Sequence, residues 1–172
     1  MKNEPGPYVT ATPAFALIGL QGPSEKQKVE LWFIDPLNKM QGDDAFVCLM
    51  VCLPLIETIL RYELRIPDDQ ATKFSDGSRE LKWFAKFLTI PEKASREIWD
   101  AVRNGLLHRA MVKGMLKYGL TGRGQRPAEH KDGLTTIYVW DLRDAVVRKL
   151  KEHHRKLWKG TGNELPGIYV RT

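Results

Sequence analysis

Cysteine is scarce in this sequence, which has only Cys48 and Cys52 in 172 residues. The two stand four residues apart in an apolar segment, on adjacent turns of a predicted helix. A disulfide is poorly placed there, and two ligands are too few for a zinc site. We therefore expect buried, reduced thiols, which favours a cytoplasmic location.

Several enzyme signatures are also missing. The sequence contains no glycine-rich P-loop, no G-x-S-x-G nucleophile motif and no H-E-x-x-H zinc motif. The adjacent His153 and His154 have no carboxylate or cysteine at a ligand spacing, so a basic helix face is the preferred interpretation. We expect neither a metal nor a cofactor.

Long hydrophobic runs are few. The longest, residues 46–60, has 15 residues, whereas a helix needs about 20 apolar residues to span a membrane. This run also contains Pro54 and Glu57, so we predict a buried core helix and no membrane partner. The N-terminus lacks the apolar segment of a secretory signal.

Charge of one sign is concentrated in one part of the chain. Residues 1–102 contain 12 Lys+Arg and 15 Asp+Glu, whereas residues 103–172 contain 15 and 6. The formal net charge is therefore −3 in the first part and +9 in the second. Such an asymmetry favours a polyanionic partner such as nucleic acid, although a solvated basic surface gives the same composition.

The residue pattern predicts a single, mainly α-helical domain over residues 1–172, with an extended arm at 1–23 and an irregular tail at 160–172. Helices are predicted over five segments: 24–34, 42–64, 78–88, 91–110 and 141 onward. Strand-forming residues at 111–120 and 134–140 predict one β-hairpin insertion, over residues 111–140, before the last long helix. A flexible basic loop over 121–127 joins these two strands.

The predicted helix that starts at Pro91 carries the segment RNGLLH, residues 103–108. On a helical wheel Arg103, Asn104 and Leu107 lie opposite the core face, and His108 lies at the margin of that side. A leucine among polar side chains indicates a protein contact, most simply with a second copy of the chain. We therefore assign Leu107 and Arg103 to a homodimer interface.

Arg103, Asn104 and His108 resemble the R-x4-6-H motif of the HEPN family (higher eukaryotes and prokaryotes nucleotide-binding domains). Its members are small helical bundles, and many, though not all, are metal-independent ribonucleases. The resemblance implies a HEPN-like bundle over residues 24–110 and 141–160, with catalytic roles for the three matching residues. The alternative interpretation is a surface arginine and a histidine that stabilises the end of its helix.

If the chain is an enzyme, the resemblance implies cleavage of single-stranded RNA by attack of a ribose 2′-hydroxyl on the adjacent phosphorus. His108 can transfer a proton near neutral pH, and Arg103 can bind phosphate oxygens as charge develops on them. Asn104 can orient His108 or bind phosphate. Because one histidine does not easily act as both base and acid, we expect a composite site at the homodimer interface.

The cations assigned to RNA binding are Arg109, Lys113, Arg123 and Arg126. Tyr118, Tyr138 and Trp140 are candidates for stacking a base, although packing within the hairpin is the preferred interpretation. Two alternatives to a nuclease remain open. One is a non-catalytic dimer that binds RNA or protein, and the other is a toxin-like or regulatory protein with an antitoxin-like protein partner.

Overall fold

The structure is a computed structural model. It describes the backbone of residues 25–67, 69–103, 118–121 and 123–157, and the side chains of residues 27–67, 69–101 and 123–153. These residues form a mainly helical fold with a small sheet before the last helix, as the sequence pattern predicts. The predicted N-terminal arm and C-terminal tail lie outside the described residues.

The first helical region contains two short α-helices, α1 (Glu25–Val29) and α2 (Asp35–Lys39), joined by a π-helical turn, Glu30–Ile34. The sequence predicts a kink or break at Pro36, because proline lacks an N–H and its ring clashes with the preceding turn. The helix instead widens just before this residue, so that the Asp35 N–H donates to the Glu30 carbonyl, five residues back. The wider turn lets the helical path continue to Lys39.

The central helix, α3 (Ala45–Leu64), follows a 3-10 turn at Gly42–Asp44. Its predicted bounds and burial are confirmed. Cys48 and Cys52 are fully buried free thiols, with their sulfurs 4.0 Å apart. Their shared hydrogen bond and burial raise the pKa of Cys52 well above its ordinary value, which keeps this thiol protonated.

By length and composition alone, the helical stretch Gly42–Leu64 could cross a membrane. In the fold, 44% of its most apolar window is buried inside the protein, and α3 packs against the last helix, α6 (Val139–Leu157). Leu142, Val146 and Leu150 of α6 are buried in this core, one helical turn apart. This packing is typical of the core helix of a globular domain.

Two further helices, α4 (Arg79–Leu88) and α5 (Glu92–Ile98), pack against each other. The Ser78 hydroxyl caps α4 by accepting a hydrogen bond from the Leu81 N–H. The apolar residues of α4 recur at helical spacing and are buried: Leu81, Phe84, Ala85 and Leu88. A π-helical turn, Trp99–Arg103, continues α5, and the predicted extension to residue 110 lies outside the described residues.

The sheet has three strands: β1 (Tyr118–Thr121), β2 (Ala128–Lys131) and β3 (Leu134–Tyr138). In space β3 lies between the other two, so the strand order is β1-β3-β2. The predicted hairpin exists, but its strands differ from the prediction. β3 pairs antiparallel with β2, whereas β1 pairs parallel with β3. β2 and β3 form the hairpin because a two-residue turn at Asp132 and Gly133 joins them. Both residues have positive φ, and Asp-Gly at such a turn is a strong hairpin signal.

Candidate functional site

Most of the predicted catalytic and dimer residues lie outside the described part of the chain: Asn104, Leu107 and His108, together with the predicted RNA-binding Arg109 and Lys113. Arg103 ends the π-helical turn after α5, and its backbone alone is described. π-helical turns are frequent at functional sites. The composite Arg103–His108 site stays a prediction.

Arg123, assigned to RNA binding, lies in a loop that is joined to the start of α6 by ion pairs and a hydrogen bond. Its Nη1 lies 2.7 Å from Asp144 Oδ2 and 3.4 Å from Asp141 Oδ1, and the Gly124 N–H also donates to Asp141. Burial acts to raise the pKa of Asp144, but hydrogen bonds from Arg123 and Arg143 outweigh it and hold the pKa below its ordinary value. The loop predicted to be flexible is therefore held by several polar contacts.

Arg126 and Tyr138 meet at a second carboxylate. Arg126 Nη2 lies 2.7 Å from Glu129 Oε1, and the Tyr138 hydroxyl donates to Glu129 Oε2 at 3.0 Å. This hydrogen bond, with partial burial, raises the pKa of Tyr138. The Tyr138 ring also covers Gly124, where a β-carbon would lie 2.3 Å from ring carbons. Tyr138 thus packs within the sheet region, which was the preferred interpretation.

A cavity of about 520 Å³ lies between α4, this loop and α6. Four cationic side chains line it against one carboxylate, Glu63. These cations are Lys86 on α4, Arg126 in the loop, and Arg148 and Lys149 on α6. Three elements that are distant in sequence thus direct positive charge into one hollow, which favours an anionic ligand.

One wall of the cavity is aromatic. The rings of Trp83 and Phe87, one turn apart on α4, are stacked with centroids 5.3 Å apart and planes 6° apart. Both side chains are partly buried against the core. The Trp83 indole N–H donates to Glu63 Oε2 at 2.6 Å, which fixes the orientation of the ring. Both rings are therefore held in place before a ligand binds, and aromatic side chains that line a cavity can stack a base.

Glu63 on α3 links the cavity to the core. Its Oε1 lies 2.8 Å from Lys149 Nζ and 3.1 Å from His153 Nε2. Burial acts to raise the pKa of Glu63, but hydrogen bonds from Lys149 and Trp83 outweigh it and lower the pKa. Because Lys149 balances this carboxylate, Glu63 adds little repulsion toward an anion.

The other cations divide into paired and unpaired groups. Arg126 is paired with Glu129. Lys86 and Arg148 are exposed, and neither makes an ion pair with any residue that the structure describes. These two side chains can turn toward a bound anion without breaking an existing ion pair.

A shallow hollow of about 580 Å³ adjoins the cavity and shares Lys86 and Thr89 with it. It ends at Pro91 and Glu92, where α5 starts. The two hollows therefore meet at the end of α4, and the second one extends to the start of α5. Within the described residues, no group of three or more His, Cys, Asp or Glu side chains could hold a metal ion.

Sequence reasoning identified Arg126 and the basic face of α6 but missed the aromatic wall. The wall lies on α4, whose apolar pattern by itself predicts only core packing, and the residues in question are Trp83, Lys86 and Phe87. The available signal was a tryptophan that lies beside the apolar stripe of α4, with a lysine three residues later.

Comparison with known proteins gives no match among family models, curated proteins or solved structures. The fold and the cavity define a mainly helical protein with a cationic, aromatic-lined surface. The HEPN resemblance rests on residues 103–108 of the sequence.

Proposed function

We propose that this protein binds single-stranded RNA across the cationic cavity and cleaves it without a metal, through a HEPN-type site formed by Arg103, Asn104 and His108. The observation that carries the proposal is a cavity lined by two cations without an ion pair among the described residues, Lys86 and Arg148, together with a stacked aromatic pair. The R-x4-H motif supports the cleavage step.

The shape of the site favours a single strand over a duplex. Stacking on Trp83 and Phe87 needs an exposed base face, and a base within a duplex is already stacked on its neighbours. The surface that continues toward α5 provides room for adjoining nucleotides, with Lys86 at the junction of the two hollows. An RNA strand on this path would reach the start of α5 at Glu92, and Arg103 lies at the other end of the same helical segment.

The proposed reaction is an internal transesterification. The ribose 2′-oxygen forms a bond to phosphorus while the bond from phosphorus to the 5′-oxygen breaks, leaving a 2′,3′-cyclic phosphate and a 5′-hydroxyl. One His108 accepts the 2′-hydroxyl proton, and His108 of a second copy donates a proton to the leaving oxygen. Arg103 stabilises the charge on the phosphate oxygens. We place this activity in the cytoplasm, where the two thiols stay reduced.

The test is cleavage of a labelled single-stranded RNA in the presence of EDTA. We expect the wild type to cleave it to cyclic-phosphate products and to leave the 2′-deoxy analogue intact. Arg103→Ala and His108→Ala should each lower the rate by about 100-fold or more. The control is Arg96→Ala on α5, which removes an exposed arginine paired with Asp76 and should keep the rate. Equal cleavage by all four proteins would contradict the proposed site.

A second candidate is a non-catalytic RNA-binding module. It is favoured by the position of the cavity, whose cations and aromatic rings lie on α4, the loop and α6 rather than on the helix of the motif. Wild-type protein that binds the RNA and leaves it intact would support this candidate.

A further inference from the structure

We propose that the cavity is a subsite for one nucleotide of the RNA, with its base against the Trp83–Phe87 wall and its phosphate between Lys86 and Arg148. This inference rests on the proposed function for the class of ligand, a nucleotide, and is independent of the cleavage step.

The size of the cavity agrees with a ligand of this kind. About 520 Å³ falls within the roughly 300–1,000 Å³ of small-molecule sites. The cavity is bounded by α4, by the loop that contains Gln125 and Arg126, and by α6. The Gly124 N–H donates to Asp141 and the Pro127 carbonyl accepts from the Tyr138 N–H, so this wall is formed before a ligand arrives.

The aromatic wall selects for a flat ring system. The near-parallel Trp83 and Phe87 rings are held by the bond from Trp83 to Glu63 and by packing on the core. A base that stacks here needs no rearrangement of the protein. A free phosphate ion gains nothing from this wall, so the site should distinguish a nucleotide from phosphate alone.

The cations select for a phosphate. Lys86 and Arg148 reach the cavity from opposite helices, and neither is committed to a carboxylate in the described part of the chain. Charge-assisted hydrogen bonds to a phosphate are stronger than neutral ones, and an arginine can form two of them in parallel. The site should therefore distinguish a nucleotide from its uncharged nucleoside.

The experiment is a calorimetric titration of the full chain with adenosine monophosphate, adenosine and inorganic phosphate, each at low salt. We expect the monophosphate to bind at least about tenfold more tightly than either of the other ligands. Arg148→Ala and Lys86→Ala should each weaken its binding about tenfold. Lys151→Ala, which removes an exposed cation of α6 that does not line the cavity, should change binding less than about twofold.

Thermal melting of each variant shows whether it is folded, and all three substitutions are at exposed positions. Equal affinity for monophosphate and adenosine, equal affinity for monophosphate and phosphate, or no binding of the monophosphate would each overturn the subsite. Monophosphate binding without RNA cleavage would leave the subsite standing and refute the nuclease. RNA cleavage without monophosphate binding would refute the subsite and leave the nuclease proposal standing.

Discussion

The indole nitrogen of Trp83 donates a 2.6 Å hydrogen bond to Oε2 of Glu63 and so joins α4 to α3 at the wall of the cavity. The other oxygen of Glu63 contacts Lys149 and His153 of α6. One carboxylate thus fixes three helices relative to one another. The aromatic wall and both helices that supply cations, α4 and α6, are therefore joined through this one carboxylate to α3.

Glu63→Gln should lower the free energy of unfolding at pH 7 by about 1–3 kcal/mol, because charged hydrogen bonds to Lys149 and Trp83 are weakened. The folded pKa of Glu63 lies below its ordinary value of 4.5. Its stabilisation is therefore present above the unfolded pKa and is lost as the pH falls through the folded pKa. Chemical denaturation of both proteins should show a difference that shrinks below about pH 4.5. A difference of the same size at pH 7 and pH 3 would argue against this role.

Gly124→Ala should destabilise the fold by about 1–3 kcal/mol, because the new methyl group overlaps the Tyr138 ring. Displacement of that ring also strains its hydrogen bond to Glu129. The control is the same substitution in a Tyr138→Leu background, where the cost should be smaller because the ring is absent. Equal costs in the two backgrounds, measured by denaturation, would show that the clash is relieved elsewhere.

Arg143→Met should cost about 2 kcal/mol of stability. The Arg143 side chain is 12% exposed, donates to the Met40 carbonyl at 2.8 Å and pairs with Asp144 at 2.8 Å. Arg143 on α6 therefore connects this helix to the segment that follows α2. Arg148→Met on the same helix is the matched control and should change stability by less than about 0.5 kcal/mol. Equal denaturation midpoints for the two variants would be incompatible with this assignment.

RNA binding should weaken as salt is added, because cations that neutralise phosphates release counterions from the strand. In a plot of log affinity against log salt, Arg148→Ala should make the slope shallower by about 0.7, the value for one contact to a single strand. Fluorescence anisotropy with a labelled oligonucleotide measures both slopes. Parallel lines for wild type and variant would mean that Arg148 contacts no phosphate.

The homodimer part of the proposal predicts that the wild type elutes from size exclusion as a dimer and that Leu107→Glu elutes as a monomer, because a buried carboxylate is costly at an interface. Light scattering on the eluted peak gives the mass directly. A variant that remains dimeric with unchanged mass would place the contact elsewhere on the chain.

The elements that the sequence predicts well are those set by local rules. α3 and α4 follow from apolar periodicity, and Ser78 is a local capping signal. The hairpin partner is the exception: strand propensity favours residues 111–120, whereas the local turn at Asp132-Gly133 pairs β3 with β2.

The cavity could not be predicted in this way. Its central contact joins Glu63 to Lys149, 86 residues apart, and such a pairing depends on how α3 packs against α6. The same holds for Arg123, whose charge suggests an RNA contact but whose nearest partners are Asp141 and Asp144. Net charge can be read from a sequence, whereas the pairing of individual charges requires the fold.

The most direct test of the central claim is photo-cross-linking of a 4-thiouridine-containing single-stranded RNA to the full chain, followed by mass spectrometry of the peptides. If the RNA lies across the cavity, it should cross-link to the peptides that carry Trp83 and Phe87. These products should disappear when excess unlabelled RNA is added. Cross-links confined to peptides that carry no residue lining the cavity would contradict the account.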